Sequence, residues 1–170
     1  MFHVKRRPPP RPREWDADGL YAYGLRLLAP RARSERELRQ RFQARGADAS
    51  LIDAVVARLK DGGLIDDEAF ARAWVESRRR ASPRGDRLLQ RELFAKGVVR
   101  PVADAAISQG SSDELELARA AAAKKARTLA AEPEPVFVRR LTDFLLRRGF
   151  EWDTASAVVR ELAGQRDASR

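Results

Sequence analysis

Cysteine is absent from the sequence, and histidine occurs once. The first absence removes disulfides, thiolate nucleophiles and the usual structural zinc sites together. The lone His3 lies in a proline- and arginine-rich stretch with no second imidazole to share a metal. No metal or cofactor is therefore expected. A phosphate-binding loop of the G-x-x-x-x-G-K type is also missing, and no carboxylate pair stands apart from helix caps, so no catalytic residue is assigned. No apolar run approaches the roughly 20 residues that span a bilayer, and the opening MFHVKRRPPPRPRE lacks the apolar core of a secretory signal. A cytoplasmic protein without membrane contact is expected. The alternation of apolar and polar residues that marks strands is absent too.

Positive charge is abundant. The net charge is +9 and the isoelectric point about 10.8. Such an excess favours anionic partners, nucleic acid above all, through long-range attraction and counterion release. Lysine is confined to Lys5, Lys60, Lys96, Lys124 and Lys125; the rest is arginine, the better phosphate fork. Coding bias toward arginine and alanine would give the same composition and stands as the alternative.

An internal repeat organises the chain. Leu38, Phe42, Arg45 and Gly46 are echoed by Leu89, Leu93, Lys96 and Gly97, then by Leu141, Leu145, Arg148 and Gly149, at offsets of 51 and 52 residues. An apolar pair follows each glycine: Val55 and Val56, Ala106 and Ile107, Val158 and Val159. Residues four apart share a helix face, so each Leu-x-x-x-Leu/Phe predicts a buried stripe. Each glycine predicts a left-handed helix end, and the basic residue before it suits the negative end of the dipole. Ser34 and Glu37 form a capping box, and Asp66 can cap a helix through Phe70 and Trp74. Pro83 is placed in the first turn of the next helix. Asp113 opens a further helix, and Pro133 and Pro135 break it.

The prediction is an all-α, elongated array of three tandem three-helix repeats at 19–66, 67–110 and 111–163. Flexible tails are expected at 1–18 and 164–170. Each unit of about 50 residues buries too little to be stable alone, so neighbours should pack end to end. Phe42, Phe70, Trp74 and Phe144 are assigned to cores. Trp15 and Trp152 flank loops, and base stacking, which needs exposed rings, is not assigned to them. Asp66, Asp67 and Glu68 are read as helix-start acids, not as a metal cluster.

The main candidate surface is Arg78, Arg79, Arg80, Arg84, Arg87 and Arg91. With Pro83 separating Arg80, the residues Arg84, Arg87 and Arg91 should form a stripe beside buried Leu89 and Leu93, facing phosphates or an acidic protein. A solvated helix face with ion pairs, Glu92 among them, is the alternative. Arg41 and Arg45, then Arg139, Arg140, Arg147 and Arg148, recur in the other units and could make a shared basic ridge. Lys5, Arg6, Arg7, Arg11 and Arg13 form a run without acids, either a phosphate-binding arm or a solubilising tail. A sequence-specific helix-turn-helix reader is disfavoured. The would-be recognition helices begin Asp48-Ala49-Ser50, Arg100-Pro101-Val102 and Asp153-Thr154-Ala155, with few side chains suited to base edges.

Leu28 to Leu38 and Arg58 to Ala71, the latter with Asp61-Gly62-Gly63-Leu64-Ile65-Asp66-Asp67-Glu68, resemble the signature of the RecX family. Ser77-Arg78-Arg79-Arg80 with Pro83 to Leu93 extends the likeness into the second unit, and Phe144 to Phe150 into the third. The resemblance runs in register from about 19 to 163; both tails depart from it. It implies a regulatory protein that lies on RecA-type recombinase filaments on DNA, inhibits ATP hydrolysis and strand exchange, and so modulates DNA repair and the SOS response. Under it the basic residues would meet the filament or its DNA; contact with single- or double-stranded DNA without sequence preference, by a monomer, is expected. A DNA-binding regulator that does not act on a recombinase is the alternative, and a pure protein-binding scaffold is another.

Overall fold

The computed structural model describes residues 15–110 and 113–167, and among them the regular structure is helical throughout. The chain divides into two compact units, Met1–Asp66 and Asp67–Arg170. The first holds α1 (Ala17–Leu28), α2 (Glu35–Gln43) and α3 (Ala49–Asp61). The second holds two more triplets: α4 (Asp67–Ala81), α5 (Asp86–Ala95) and α6 (Arg100–Gln109), then α7 (Glu114–Thr128), α8 (Glu134–Arg147) and α9 (Trp152–Asp167). No helix of the described residues is long and apolar enough to cross a membrane.

The repeated glycines end the second helix of each triplet in the same way. Gly46, Gly97 and Gly149 have φ of 78°, 85° and 85°. Each amide bonds back three residues, to the carbonyls of Gln43, Phe94 and Leu146. The following amide reaches back five, to Phe42 (3.2 Å), Leu93 (3.0 Å) and Leu145 (3.3 Å). This pair of bonds is the Schellman arrangement, which satisfies carbonyls a helix end leaves open and brings an apolar residue onto the last turn. Here those apolar residues are Ala47, Val98 and Phe150, each packed on the core of its own triplet.

Helix starts follow local chemistry as well. Asp16 caps α1 by accepting from the Gly19 amide at 2.7 Å, and Asp113 caps α7 by accepting from the Leu115 amide at 3.0 Å. Ser34, fully buried, accepts from the Glu37 amide, while the Glu37 carboxylate holds Arg31 at 3.1 Å.

Each triplet closes its own core: Leu20, Leu38, Phe42, Ile52 and Leu59 in the first; Phe70, Val75, Leu89, Leu93 and Ile107 in the second; Phe137, Leu141, Leu145, Phe150 and Val158 in the third. The predicted Leu-x-x-x-Leu/Phe stripes and the apolar pairs after the glycines are all buried. At ~1.5–3 kcal/mol per fully buried large side chain, these clusters are the main favourable contribution to folding. Each triplet thus has a core of its own. Within the second unit, the second and third triplets meet through loops, where the Gly85 amide donates to the Arg148 carbonyl at 2.9 Å.

Several local expectations are corrected. Pro83 lies outside α5, which starts at Asp86 with Gly85 as its N-cap. Pro133 and Pro135 do more than break α7, since the first caps α8 and the second sits in its first turn, where a missing amide costs nothing. The α1 helix begins at Ala17, inside the stretch read as a tail, and α9 continues past residue 163 to Asp167. Trp74 and Phe144 are half-buried at the edges of their cores, whereas Phe42 and Phe70 are buried.

Candidate functional site

The arginines ending α4 are mostly turned inward. Glu92 on α5 is the centre of this arrangement. It accepts from Trp74 Nε1 at 3.0 Å, stands 3.5 Å from Arg78 Nε, and pairs with Arg84. The Arg78 guanidinium lies 4.0 Å above the Trp74 ring, a cation–π contact favoured by partial desolvation. Arg79, whose side chain is only 9% exposed, binds the Gly110 carbonyl and pairs with Asp86 at 2.9 Å. It thereby ties the end of α4 to the start of α5 and the end of α6. Arg84 sits in the linker and so cannot continue a stripe on α5. Burial first, then the neighbouring charges of Arg78 and Arg148, lowers its pKa below the ordinary arginine value.

Other candidates face solvent. Arg80 is 77% exposed and pairs with Glu76 one turn earlier on α4; Arg87 is 68% exposed and pairs with Glu151 across the junction with the third triplet. Arg91, Arg41, Arg139 and Arg147 are exposed and make no ion pair among the described residues. Arg140 is exposed beside Glu132 at 2.5 Å. On α5 the predicted stripe is thus reduced to Arg87 and Arg91, four residues apart. The run Lys5, Arg6, Arg7, Arg11 and Arg13 lies outside the described residues.

The basic residue before each repeated glycine is held over an aromatic ring. Arg45 lies 5.3 Å from the centroid of Tyr23, Lys96 5.1 Å from that of Trp74, and Arg148 4.9 Å from that of Phe144. These residues therefore end their helices, cover a ring and keep a cation at the surface. Trp15 stacks on Tyr23 at 5.6 Å and donates from Nε1 to the Arg45 carbonyl, while Trp152 is 61% exposed.

Two features are not foreseen from sequence. One is Glu92 as the shared partner of Trp74, Arg78 and Arg84, which no spacing rule reveals because its partners come from another helix and a linker. The other is Gly85. A Cβ there would lie 2.3 Å from the carbonyl carbon of Gly149, and a Cβ on Gly149 would lie 2.4 Å from the Leu88 amide. The glycine in Pro83-Arg84-Gly85-Asp86 is the one signal that points to it.

Comparison with known proteins agrees with this architecture. Models of the first, second and third three-helix domains of RecX match residues 21–59, 66–107 and 112–159. The regulatory protein RecX of Chlorobaculum tepidum is 37% identical over 146 residues, covering 86% of this chain and 89% of that protein. Its counterpart in Mycobacterium sp. (strain KMS) is 38% identical over 156 residues, covering 88% and 85%. A crystal structure of RecX from Lactobacillus salivarius shares the fold at a TM-score of 0.76, with 21% identity and coverage of 86% and 96%. A second crystal structure, of a regulatory protein RecX, also gives a TM-score of 0.76, at 22% identity and coverage of 84% and 70%. With three domain models matched in order along one chain, and relatives this similar over most of their length, the protein belongs to the RecX family of regulatory proteins.

Proposed function

We propose that this chain is a non-enzymatic regulator that docks on RecA-type recombinase filaments assembled on DNA and inhibits their ATP hydrolysis and strand exchange. Through that action it would modulate DNA repair and the SOS response, in the cytoplasm and as a monomer. The observation that carries the reading is family membership along nearly the whole chain, with the three domains in order. The net charge of +9 supports an anionic partner. The exposed Arg41, Arg91, Arg139 and Arg147 offer cations not already engaged by acids among the described residues. Arg79, by contrast, is nearly buried and serves the fold, and Arg78 and Arg84 are engaged by Glu92. Contact with DNA would be to the backbone and independent of sequence, because arginine forks fit phosphate oxygens.

The test compares binding of the fluorescently labelled chain to recombinase-coated single-stranded DNA, to naked single- and double-stranded DNA of scrambled sequence, and to recombinase without DNA. The coated filament should bind most tightly, and naked DNA should bind with a steep salt dependence and equal affinity across sequences. Preference for one operator sequence, with no gain from the recombinase, would support the alternative of a regulator unrelated to recombination.

A further inference from the structure

Tyr23 on α1 and Trp74 on α4 lie 51 residues apart and hold the same place in their triplets, each three residues beyond a buried position, Leu20 and Ala71. Each ring carries the cation that ends the second helix of its triplet. Counted from the helix starts, Asp67 and Glu114, the same place in α7 is buried Ala121, and Lys125 stands one turn further on, where α4 carries Arg78. The third triplet therefore has no ring at this place, and the cation that ends its second helix is held differently. Arg148 lies over Phe144 of its own helix, donates to the Ser82 hydroxyl, and reaches the Pro83 carbonyl at 3.4 Å.

Like charges gather around Arg148. Lys124, Lys125, Ser82 and Arg148 line one depression of about 470 Å³, and Arg84, Arg147 and Arg148 line another of about 470 Å³. Ser82 and Arg148 border both. The first depression contains no carboxylate in its lining. The second contains only Glu92, already engaged by Trp74, Arg78 and Arg84. Lys124, Lys125 and Arg147 make no ion pair among the described residues. Cations brought together with so little countercharge repel one another, and a bound anion relieves that repulsion.

We propose that this notch, formed by Ser82, Lys124, Lys125, Arg147 and Arg148 at the junction of the second and third triplets, binds consecutive phosphates of a nucleic-acid backbone. The notch rests on the nucleic-acid contact proposed above and gives that contact a place. Guanidinium forks, ammonium groups and a hydroxyl arriving from three segments suit an anion with several acceptor oxygens. Two adjoining depressions suit a chain of phosphates better than a single free ion.

The test is lysine footprinting of the intact wild-type chain by an acetylating reagent, with and without a single-stranded oligonucleotide. Lys124 and Lys125 should be protected several-fold, whereas Lys60, which is paired with Glu35, should not. A polyglutamate peptide and an oligonucleotide with an uncharged methylphosphonate backbone should give no protection. In parallel, Lys124→Ala combined with Lys125→Ala should weaken oligonucleotide binding and lower the salt slope by about 1.4, near 0.7 for each single-strand phosphate no longer neutralised. Equal acetylation with and without an oligonucleotide that binds would overturn the notch while leaving the DNA reading intact. Protection by polyglutamate would overturn the choice of phosphate. A wild-type chain that neither binds DNA nor affects a recombinase would defeat both readings.

Discussion

The amide of Gly85 donates to the carbonyl of Arg148 across 2.9 Å, and the two backbones are so close that neither Gly85 nor Gly149 has room for a side chain. The second and third triplets of the second unit are joined here by main chain against main chain. Backbone cannot move aside as a flexible side chain can, so Gly85→Ala should destabilise the second unit by about 2 kcal/mol, within the range for overpacking. Urea unfolding measures it; a change within experimental error would mean that the backbones pack more loosely than their geometry implies.

Separate cores make separate responses. Leu38 and Leu141 are both fully buried, in the first and third triplets. Leu38→Ala should cost about 2–5 kcal/mol and accelerate amide exchange in α1 to α3, leaving α7 to α9 protected as before. Leu141→Ala should do the reverse. Uniform loss of protection along the chain in either variant would show a single cooperative core.

Glu92 holds Trp74, Arg78 and Arg84 together with its side chain 20% exposed. Glu92→Gln keeps the shape and removes the charge that compensates two arginines. Because the group is only partly buried, solvent screening moderates the loss to about 1–2 kcal/mol. Sulfate should restore part of it by supplying the missing negative charge. Thermal melts in chloride and in sulfate check this, and an equal loss in both salts would contradict it.

Acid sensitivity of the first unit should report Glu35. Burial alone would raise the pKa of its carboxyl, but hydrogen bonds and charge from Arg39 and Lys60 outweigh that and hold it below the ordinary 4.5. A depressed carboxylate stabilises the fold above its unfolded-state pKa, and that contribution is lost as pH falls through the folded value. Wild type and Glu35→Gln should therefore differ in melting temperature near neutral pH and begin to converge only as pH falls below about 4.5, the unperturbed value. A difference that persists at low pH would exclude the ion pairs as its source.

The exposed arginines should act on binding and not on the fold. Arg139→Ala with Arg147→Ala should lower affinity for DNA-bound recombinase and flatten its salt dependence, with an unchanged melt. Arg79→Ala should do the opposite, loosening the α4, α5 and α6 ends it connects with no separate effect on the salt slope.

What can be read from the sequence is governed by distance along the chain. The glycine after Leu-x-x-x-Leu/Phe acts within five residues, so its left-handed turn, the stripe and the next apolar pair are all legible. The register of the repeat is legible from the same spacing. Charge at the surface is legible only as an inventory. An arginine is long enough to reach solvent or fold back, and Arg79 and Arg84 fold back because Asp86, Gly110 and Glu92 come within reach only after the helices pack. Pro83 is misplaced by local rules for a related reason: Gly85 caps α5 while engaged with Arg148, a residue far along the chain.

The most direct test of the central claim is to titrate the intact protein into a RecA-type recombinase already assembled on single-stranded DNA, following ATP hydrolysis and strand exchange together. Both should fall as the chain is added, at protein amounts well below those that compete for naked DNA. Rates that stay unchanged while the chain is demonstrably folded and bound to DNA would contradict the account.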